Sequence, residues 1–326
     1  MTDAERLALP LLDVIMGYDC NLACDYCTIT PAMRTRALTA PAIDRELQQG
    51  RREGYARVSF TGGEPTIRPE LVALVRRARA LGYAAIKVQS NGLAFAHAPN
   101  LARLVEAGCD ELHVSIHTHD PVAYDRMVRR EGAHPAMVAG LRHAIAAAIP
   151  VTADVILTTE TAPRLAEAIA WLADLGVRRI DLWFVSLTDG NAGNVASMPR
   201  MTEALPQVRA AIALAATHAM RVRSLHIPRC LLGDLHAHAF DPGAGRVKVV
   251  TPEATFALSH SKLAGQVHVP ACEGCLHRAI CPGVRTDYVA RYGDGEIAAA
   301  RGQAATMTGS ATGSIATRLP IASTFR

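Results

Sequence analysis

Three cysteines lie close together near the start of the chain, at Cys20, Cys24 and Cys27. Thiolates are strong ligands for zinc and for iron–sulfur clusters. Three of them in one loop can converge on a single centre, and a cubane of four irons would keep one iron open for a substrate or cofactor. A structural zinc site usually has four ligands. The alternative is therefore a zinc ion bound by these three cysteines and one distant residue.

A second motif, Thr61-Gly62-Gly63-Glu64-Pro65, follows the next predicted strand. The two glycines permit a ligand to approach the backbone closely. The strand end also offers a backbone carbonyl and the Glu64 carboxylate, which together could hold an amino group. On its own, the Gly-Gly-Glu-Pro sequence is equally typical of an ordinary turn. Its position one β/α unit after the cysteine loop makes it specific.

The pair of motifs, Cys-x3-Cys-x2-Cys and then Gly-Gly-Glu-Pro, resembles the radical S-adenosylmethionine (SAM) superfamily. The similarity is to the branch that contains the molybdenum-cofactor cyclase and peptide-modifying maturases, and it covers about residues 10–220. It implies a partial (β/α)6 TIM-like barrel. It also implies that Cys20, Cys24 and Cys27 bind three irons of a [4Fe–4S] cluster while SAM chelates the fourth.

Further roles at matching positions follow from the same resemblance. The implied SAM contacts are Tyr26, whose backbone would lie near adenine, Gly62, Gly63 and Glu64 at the amino group, and Asn91 and Ser115 at the ribose and carboxylate. The implied reaction is reductive cleavage of SAM to a 5′-deoxyadenosyl radical, which takes hydrogen from a substrate. A flavodoxin or ferredoxin is the expected reductant.

A second set of cysteines lies near the end of the chain, at Cys272, Cys275 and Cys281, with Cys230 further upstream. Four thiolates are enough for a closed metal site. The region 221–300 resembles a twitch domain, a shortened SPASM domain, which implies an auxiliary [4Fe–4S] cluster. A structural zinc knuckle is the alternative. The eighth cysteine, Cys109, precedes a predicted strand and is expected to be a small buried apolar residue.

Elements that could position these residues alternate regularly over the first 220 residues. The predicted strands are 12–17, 57–60, 86–89, 112–116, 151–157 and 180–185. The predicted helices are 41–53, 68–81, 101–107, 135–147, 162–175 and 201–219. This alternation predicts an α/β fold with parallel strands joined by right-handed crossovers. Periodicity alone leaves an open sheet and a partial barrel as alternatives.

The pattern changes after residue 220. A strand at 222–227, a hairpin formed by 247–250 and 255–258, and the cysteine knuckle predict a small α+β domain. We therefore divide the chain into a core at 1–220, a cluster-binding domain at 221–302 and a flexible tail at 303–326. The tail is rich in Ala, Thr, Ser and Gly.

The composition of the chain limits the classes of protein to which it can belong. The chain has 326 residues, half of them hydrophobic, and a net charge of +4 with scattered basic residues. Such a mild charge without a basic stripe argues against nucleic acid as the partner. No run approaches about 20 apolar residues, which argues against a membrane span. The first apolar run contains Asp13 and resembles a strand rather than a signal peptide, so we expect a cytoplasmic enzyme.

Two enzymatic substrates are compatible with these features: a small polar molecule, such as a sugar or another natural-product intermediate, and a ribosomally made peptide that is crosslinked. Only 19 residues precede Cys20, which favours the small molecule because peptide maturases often carry a recognition domain there. A non-catalytic zinc scaffold is a third hypothesis. Since Cys109 is expected at the far end of the barrel, no cysteine is left to donate hydrogen, and we expect a net oxidation.

Overall fold

The protein is described by a computed structural model, which defines residues 3–241, 245–260 and 265–300. Its main feature is a nine-stranded sheet with the strand order β7-β6-β5-β4-β3-β2-β1-β8-β9. The strands are β1 Leu11–Ile15, β2 Arg57–Thr61, β3 Ala85–Ser90, β4 Glu111–Ser115, β5 Val151–Leu157, β6 Arg179–Phe184, β7 Arg221–Leu225, β8 Val247–Val250 and β9 Thr255–Ala257. A separate two-stranded sheet pairs β10 Gln266–Val267 with β11 Val284–Arg285.

Helices cover the sheet and connect its strands in the described residues. They are α1 Asp3–Ala8, α2 Ala40–Arg52, α3 Leu71–Ala80, α4 Ala98–Glu106, α5 Pro121–Val128, α6 Ala133–Ala146, α7 Leu165–Asp174, α8 Met201–Thr217, α9 Arg229–Leu232 and α10 Thr286–Tyr292. No helix in the described parts of the chain is long and apolar enough to cross a membrane.

The start of α2 shows how local sequence fixes these elements. Thr39 caps the helix by accepting a hydrogen bond from the Ala42 backbone N–H, and Pro41 lies in the first turn. A proline is favourable there because its missing N–H would have no helical partner. Ile43 and Leu47, four residues apart, lie on one face of α2 and are fully buried in the core.

Strands β1 to β7 are neighbours in chain order and all pair in parallel. Parallel neighbours require crossover connections, and helices supply them between successive strands. The predicted α/β fold, with its six core strands, is therefore confirmed. The carboxyl ends of these strands meet at one edge of the sheet, which is where the cysteine loop and the Gly-Gly-Glu turn begin.

The sheet extends past residue 220, across the predicted domain boundary. β7 continues it next to β6, and β8 pairs in parallel with β1 through Leu11↔Val247. The hairpin of β8 and β9 therefore lies beside β1 rather than apart from the sheet. This pairing joins segments more than 200 residues apart, so local periodicity cannot reveal it. The predicted tail at 303–326 lies outside the described residues.

The two faces of the sheet differ in chemistry. On one face, apolar side chains such as Val58, Ile86 and Leu112 are fully buried in the hydrophobic core. Alternate positions on the other face carry polar or charged groups, among them Lys87 and His113. Because successive side chains of a strand point to opposite faces, this alternation places a polar wall on the second face.

Candidate functional site

The first cysteine loop is held by contacts from several sides. Arg34 donates to the carbonyl oxygens of Cys20 at 3.1 Å and Leu22 at 2.7 Å. The N–H of Asp25 donates to the Met127 carbonyl at 2.9 Å, which ties the loop to α5. A loop with its backbone groups satisfied in this way keeps the positions of its cysteines fixed.

The Gly-Gly-Glu turn lies directly against the start of this loop. The N–H of Gly63 donates to the Gly17 carbonyl and the N–H of Glu64 donates to the Asp19 carbonyl, each at 2.8 Å. A Cβ atom at Gly63 would lie 2.1 Å from the Asp19 oxygen. Only glycine fits this close approach, so the two predicted motifs form one structural unit.

Glu64 differs from the expectation that its carboxylate is available to a ligand. The side chain is only 2% exposed, and its carboxylate accepts four hydrogen bonds. The donors are the Thr66 N–H and hydroxyl, the Ser90 hydroxyl and the Asn91 N–H, at 2.6–3.0 Å. Burial raises the pKa of this carboxyl group, against the lowering effect of these bonds. The side chain thus joins the ends of β2 and β3, which sequence spacing could not show.

We expect Glu64→Ala to destabilise the protein by about 3 kcal/mol, because it leaves several buried donors without an acceptor. The measurement is denaturant unfolding followed by circular dichroism under anaerobic conditions. The exposed Glu203 on α8 provides the matched control, and Glu203→Ala should change stability little. Equal stability of the two variants would contradict the structural role of Glu64.

Asn91 and Ser115 lie at the same edge of the sheet. Asn91 donates from its side-chain amide to the Asn21 side chain at 2.7 Å, so it braces the cysteine loop. Ser115 ends β4, its residue is partly exposed, and its carbonyl accepts a hydrogen bond from the Tyr124 hydroxyl at 3.3 Å. Their roles as SAM contacts stay predictions, as does that of Tyr26, whose hydroxyl contacts the His117 ring.

The chemistry of the first cysteine site fits an iron–sulfur cluster. Burial raises the pKa of the Cys20 thiol, and burial raises that of Cys24 to about 12. Such buried thiols become thiolates when a cationic centre binds them. The three cysteines are partly exposed and follow the carboxyl end of β1.

The cysteine sulfurs are not gathered around a single-ion position in the described part of the chain. A zinc ion with Zn–S bonds of about 2.3 Å would hold its sulfurs about 3.8 Å apart. Within the described ranges, three ligating atoms within 4.8 Å of one another occur at His113, Asp154 and Asp181, and not among the cysteines. A cubane separates its cysteine sulfurs more widely, because each one binds a different iron.

The four C-terminal cysteines come together although Cys230 is distant in sequence. Cys230, Cys272, Cys275 and Cys281 line one small cavity between α9 and the knuckle. Burial is the main reason that the pKa of Cys230 rises to about 11, and the other three thiols add to it. This set is therefore compatible with a second metal centre. The spacing of the cysteines in the sequence could not show that α9 packs against the knuckle.

Sequence reasoning also missed histidines and charges around both sites. His268 and His277 line the cavity of the C-terminal cysteines. Arg34 carried no motif that would distinguish it from other surface arginines. Cys109 lies where expected, just before β4 at the opposite edge of the sheet, where its sulfur donates to the Glu111 carbonyl and burial raises its pKa to about 12.

The closeness of His113, Asp154 and Asp181 is explained by hydrogen bonds and ion pairs rather than by metal binding. Arg223 donates to both carboxylate oxygens of Asp181, in one case at 2.7 Å, and His113 contacts Asp154 at 3.2 Å. Burial and charge repulsion from Lys87 lower the pKa of His113, but its acidic neighbours Asp154 and Glu111 outweigh them and produce a net rise. A divalent cation would compete with these positive groups, so we interpret the triad as part of the polar wall.

Comparison with known proteins finds similarity over about half of the chain. Residues 14–172 match the family model described as the radical SAM superfamily. A probable GTP 3′,8-cyclase from Methanopyrus kandleri is 32% identical over 185 residues, covering 56% of this chain and 59% of that protein. A PqqA peptide cyclase from Streptomyces rochei is 32% identical over 170 residues, covering 51% and 46%. The chain thus spans about half the length of these curated relatives.

Among solved structures, Streptococcus suis SuiB bound to S-adenosylmethionine superimposes with a TM-score of 0.66. The match covers 88% of this chain and 76% of SuiB, at 12% sequence identity. At this level of identity the likeness concerns the fold.

Proposed function

We propose that the chain, whose residues 14–172 match the radical SAM superfamily, cleaves SAM reductively at the first cysteine site and oxidises a small polar substrate. The observation that carries the proposal is the direct contact between the cysteine loop and the Gly-Gly-Glu turn. A three-cysteine site and a glycine-lined turn are thereby brought to one edge of the sheet.

The residues present suit a [4Fe–4S] cluster and SAM. A bound cluster and SAM would together supply one electron and a 5′-deoxyadenosyl radical, which would take a hydrogen atom from the substrate. The chain would contribute three thiolates, Cys20, Cys24 and Cys27, and the turn backbone at Gly62 and Gly63 for the SAM amino group. Arg34 and the α5 backbone would keep the loop in place, and the surrounding core would limit access of water.

A polar substrate is supported by the second face of the sheet. At its carboxyl edge, Gln89 and Trp183 are partly exposed while their neighbours along the strands are buried. The Trp183 indole N–H donates to Asp154 at 3.2 Å, which connects this edge to the polar wall below. Hydrogen-bonding groups along such a wall suit a hydroxylated or aminated molecule.

A panel of hydroxylated and aminated sugars tests this substrate class. A substrate should stimulate formation of 5′-deoxyadenosine over the uncoupled background, measured by liquid chromatography of anaerobic reactions. Ribosomal peptide is the second candidate, because the relative named PqqA peptide cyclase shares 32% identity with this chain. Stimulation by a precursor peptide and by none of the sugars would replace the small-molecule proposal with this one.

We propose an auxiliary [4Fe–4S] cluster at Cys230, Cys272, Cys275 and Cys281. The expected result of Cys272→Ala is a loss of about four irons, since one cubane is removed, with SAM cleavage in the absence of substrate retained. Iron and zinc are measured by mass spectrometry in protein made with ample iron. Zinc in place of iron at this site would refute the auxiliary cluster.

We propose that the reaction consumes SAM as an oxidant, with one 5′-deoxyadenosine released per product. After loss of a hydrogen atom, the substrate radical gives up one electron and one proton, and the auxiliary centre is the proposed electron acceptor. Epimerisation instead needs a hydrogen donor, and Cys109 lies at the wrong edge of the sheet to provide one.

The test is a reaction in deuterium oxide with mass spectrometry of the product. We expect a product two electrons more oxidised than the substrate. A product at the substrate's oxidation state, with one solvent deuterium on carbon, would disprove the oxidation. Loss of that label in Cys109→Ala would then identify the hydrogen donor.

A further inference from the structure

Lys87, in the middle of β3, is a buried lysine of the polar wall. Its side chain points to the second face of the sheet, since its neighbours Ile86 and Val88 belong to the hydrophobic core. The residue is only 8% exposed. Within the described ranges, its ammonium group makes no hydrogen bond and no ion pair. Buried lysines are normally paired, which makes Lys87 a candidate ligand-binding group.

The acidic side chain beside Lys87 is already shared by other cations. Glu111, its register partner on β4, accepts a hydrogen bond from Arg57 at 2.7 Å. The other Glu111 oxygen lies 3.5 Å from both His113 and Arg179. Three cationic side chains, two guanidinium groups and one ammonium group, therefore surround a single carboxylate. This part of the wall has an excess of positive charge, which favours an anion.

Two further polar groups flank Lys87 on the same face. Ser59 is its register partner on β2, and Gln89 lies two residues further along β3. The Ser59 hydroxyl is fully buried without a hydrogen-bond partner. Gln89 is partly exposed, and its amide makes no hydrogen bond to the described residues. Asp13, next to Ser59 on β1, forms no ion pair with Lys87 there. An ammonium, a hydroxyl and an amide can all donate to anionic oxygens.

The position of Lys87 relates this group of donors to the first cysteine site. Asn91, four residues later, donates to Asn21 in the cysteine loop at 2.7 Å. At the usual rise of a strand, the two Cα atoms of Lys87 and Asn91 are about 13 Å apart. Gln89 lies between them on β3. A ligand bound at Lys87 would therefore extend along β3 toward the cysteine loop.

We propose that Lys87, with Ser59 and Gln89, binds an anionic group of the substrate, a carboxylate or a phosphate. This inference rests on the proposed function, because it assumes that the substrate enters beside the first cysteine site. It narrows the small polar substrate to one that carries an anionic group. That group is held away from the cysteine loop, so the carbon that loses hydrogen belongs to the opposite end of the substrate.

Selective labelling tests the site, because the sequence contains only three lysines, Lys87, Lys248 and Lys262. Reconstituted protein made with 13C-labelled lysine is titrated with inorganic phosphate and, separately, with acetate, at constant ionic strength set by chloride. The Lys87 Cε signal, assigned with Lys87→Arg, should shift saturably in the millimolar range. Lys248 is the internal control, because it already pairs with Glu53 at 3.0 Å, and its signal should not saturate.

Each outcome of this titration is decisive. A saturable shift with one anion alone identifies the group as phosphate or carboxylate, and shifts with both support a general anion site. No saturable shift of the Lys87 signal with either anion would overturn the proposal. The measurement uses the wild-type protein, so it does not depend on whether a variant folds.

The Gln89 side-chain amide, labelled with 15N, provides a reporter that survives replacement of Lys87. The dissociation constant of the bound anion should rise about tenfold in Lys87→Met, because a charged hydrogen bond is lost. It should stay at the wild-type value in Lys248→Met, the matched control. Equal constants in the two variants would contradict a role for Lys87.

The substrate panel extends the test when each neutral sugar is paired with its phosphate ester and its uronic acid. Stimulated formation of 5′-deoxyadenosine should come from an anionic member. Stimulation confined to neutral sugars would overturn the anionic substrate. Failure of the proposed function is distinguishable, since the wild-type protein would then form no 5′-deoxyadenosine from SAM while the Lys87 signal still responded to the anion.

Discussion

Simultaneous replacement of Cys20, Cys24 and Cys27 by alanine is expected to abolish formation of 5′-deoxyadenosine from SAM. The three sulfurs are the ligands that this site offers, and their loop is fixed by Arg34 and by the α5 backbone. Iron content should fall from about eight to about four per chain, since one of two proposed cubanes is lost. Iron analysis and anaerobic assay with dithionite measure both effects.

Cys109→Ala is the control, because it removes a cysteine thiol that belongs to neither cysteine set. Its sulfur is buried at the opposite edge of the sheet, so iron content and SAM cleavage should match those of the wild type. Retained cleavage in the triple variant would contradict the assignment of the first site. Loss of all iron would instead indicate that the C-terminal cysteines hold no cluster of their own.

The second large effect is expected for Gly63→Ala. The new Cβ atom would lie 2.1 Å from the Asp19 oxygen and 2.5 Å from the Tyr18 oxygen, both in the backbone that leads into Cys20. These atoms cannot rotate away, so the turn and the cysteine loop must separate. We expect a destabilisation of at least about 2 kcal/mol and a loss of about 100-fold in SAM cleavage, because small displacements at reacting groups are costly.

Gly193→Ala is the matched control. Gly193 is exposed in the loop after β6, and a Cβ atom there meets no atom within 4 Å. Its stability and its rate of SAM cleavage should stay close to those of the wild type. Equal behaviour of the two variants would mean that the close approach of the turn to the loop has no role in the site.

Much of the core could be predicted from sequence because its signals are local. Each strand from β1 to β6 is a short β-rich run followed by an amphipathic helix, and parallel pairing of neighbours follows from the length of the crossovers. The two motifs directly follow β1 and β2. Because carboxyl ends of parallel strands share one edge, their proximity was predictable as well.

Features that depend on distant segments were not predictable. The pairing of β1 with β8 carries the sheet across the expected boundary at residue 220. The contact of α9 with the knuckle brings Cys230 to the other three cysteines. The sequence shows only that four cysteines are present, not that they lie together. Each results from packing between segments far apart in the chain, and no period or spacing encodes it.

The sequence by itself determined which residue types could bind a cluster and at which strand ends they lie, since motif spacing and strand order are local properties. Only the tertiary structure decided how the polar groups are used. Glu64 turned out to be an internal acceptor that joins β2 and β3, and the His117 ring a hydrogen-bond partner of the Tyr26 hydroxyl. The reason is that a hydrogen-bond partner is chosen by burial and distance, which exist once the strands have packed.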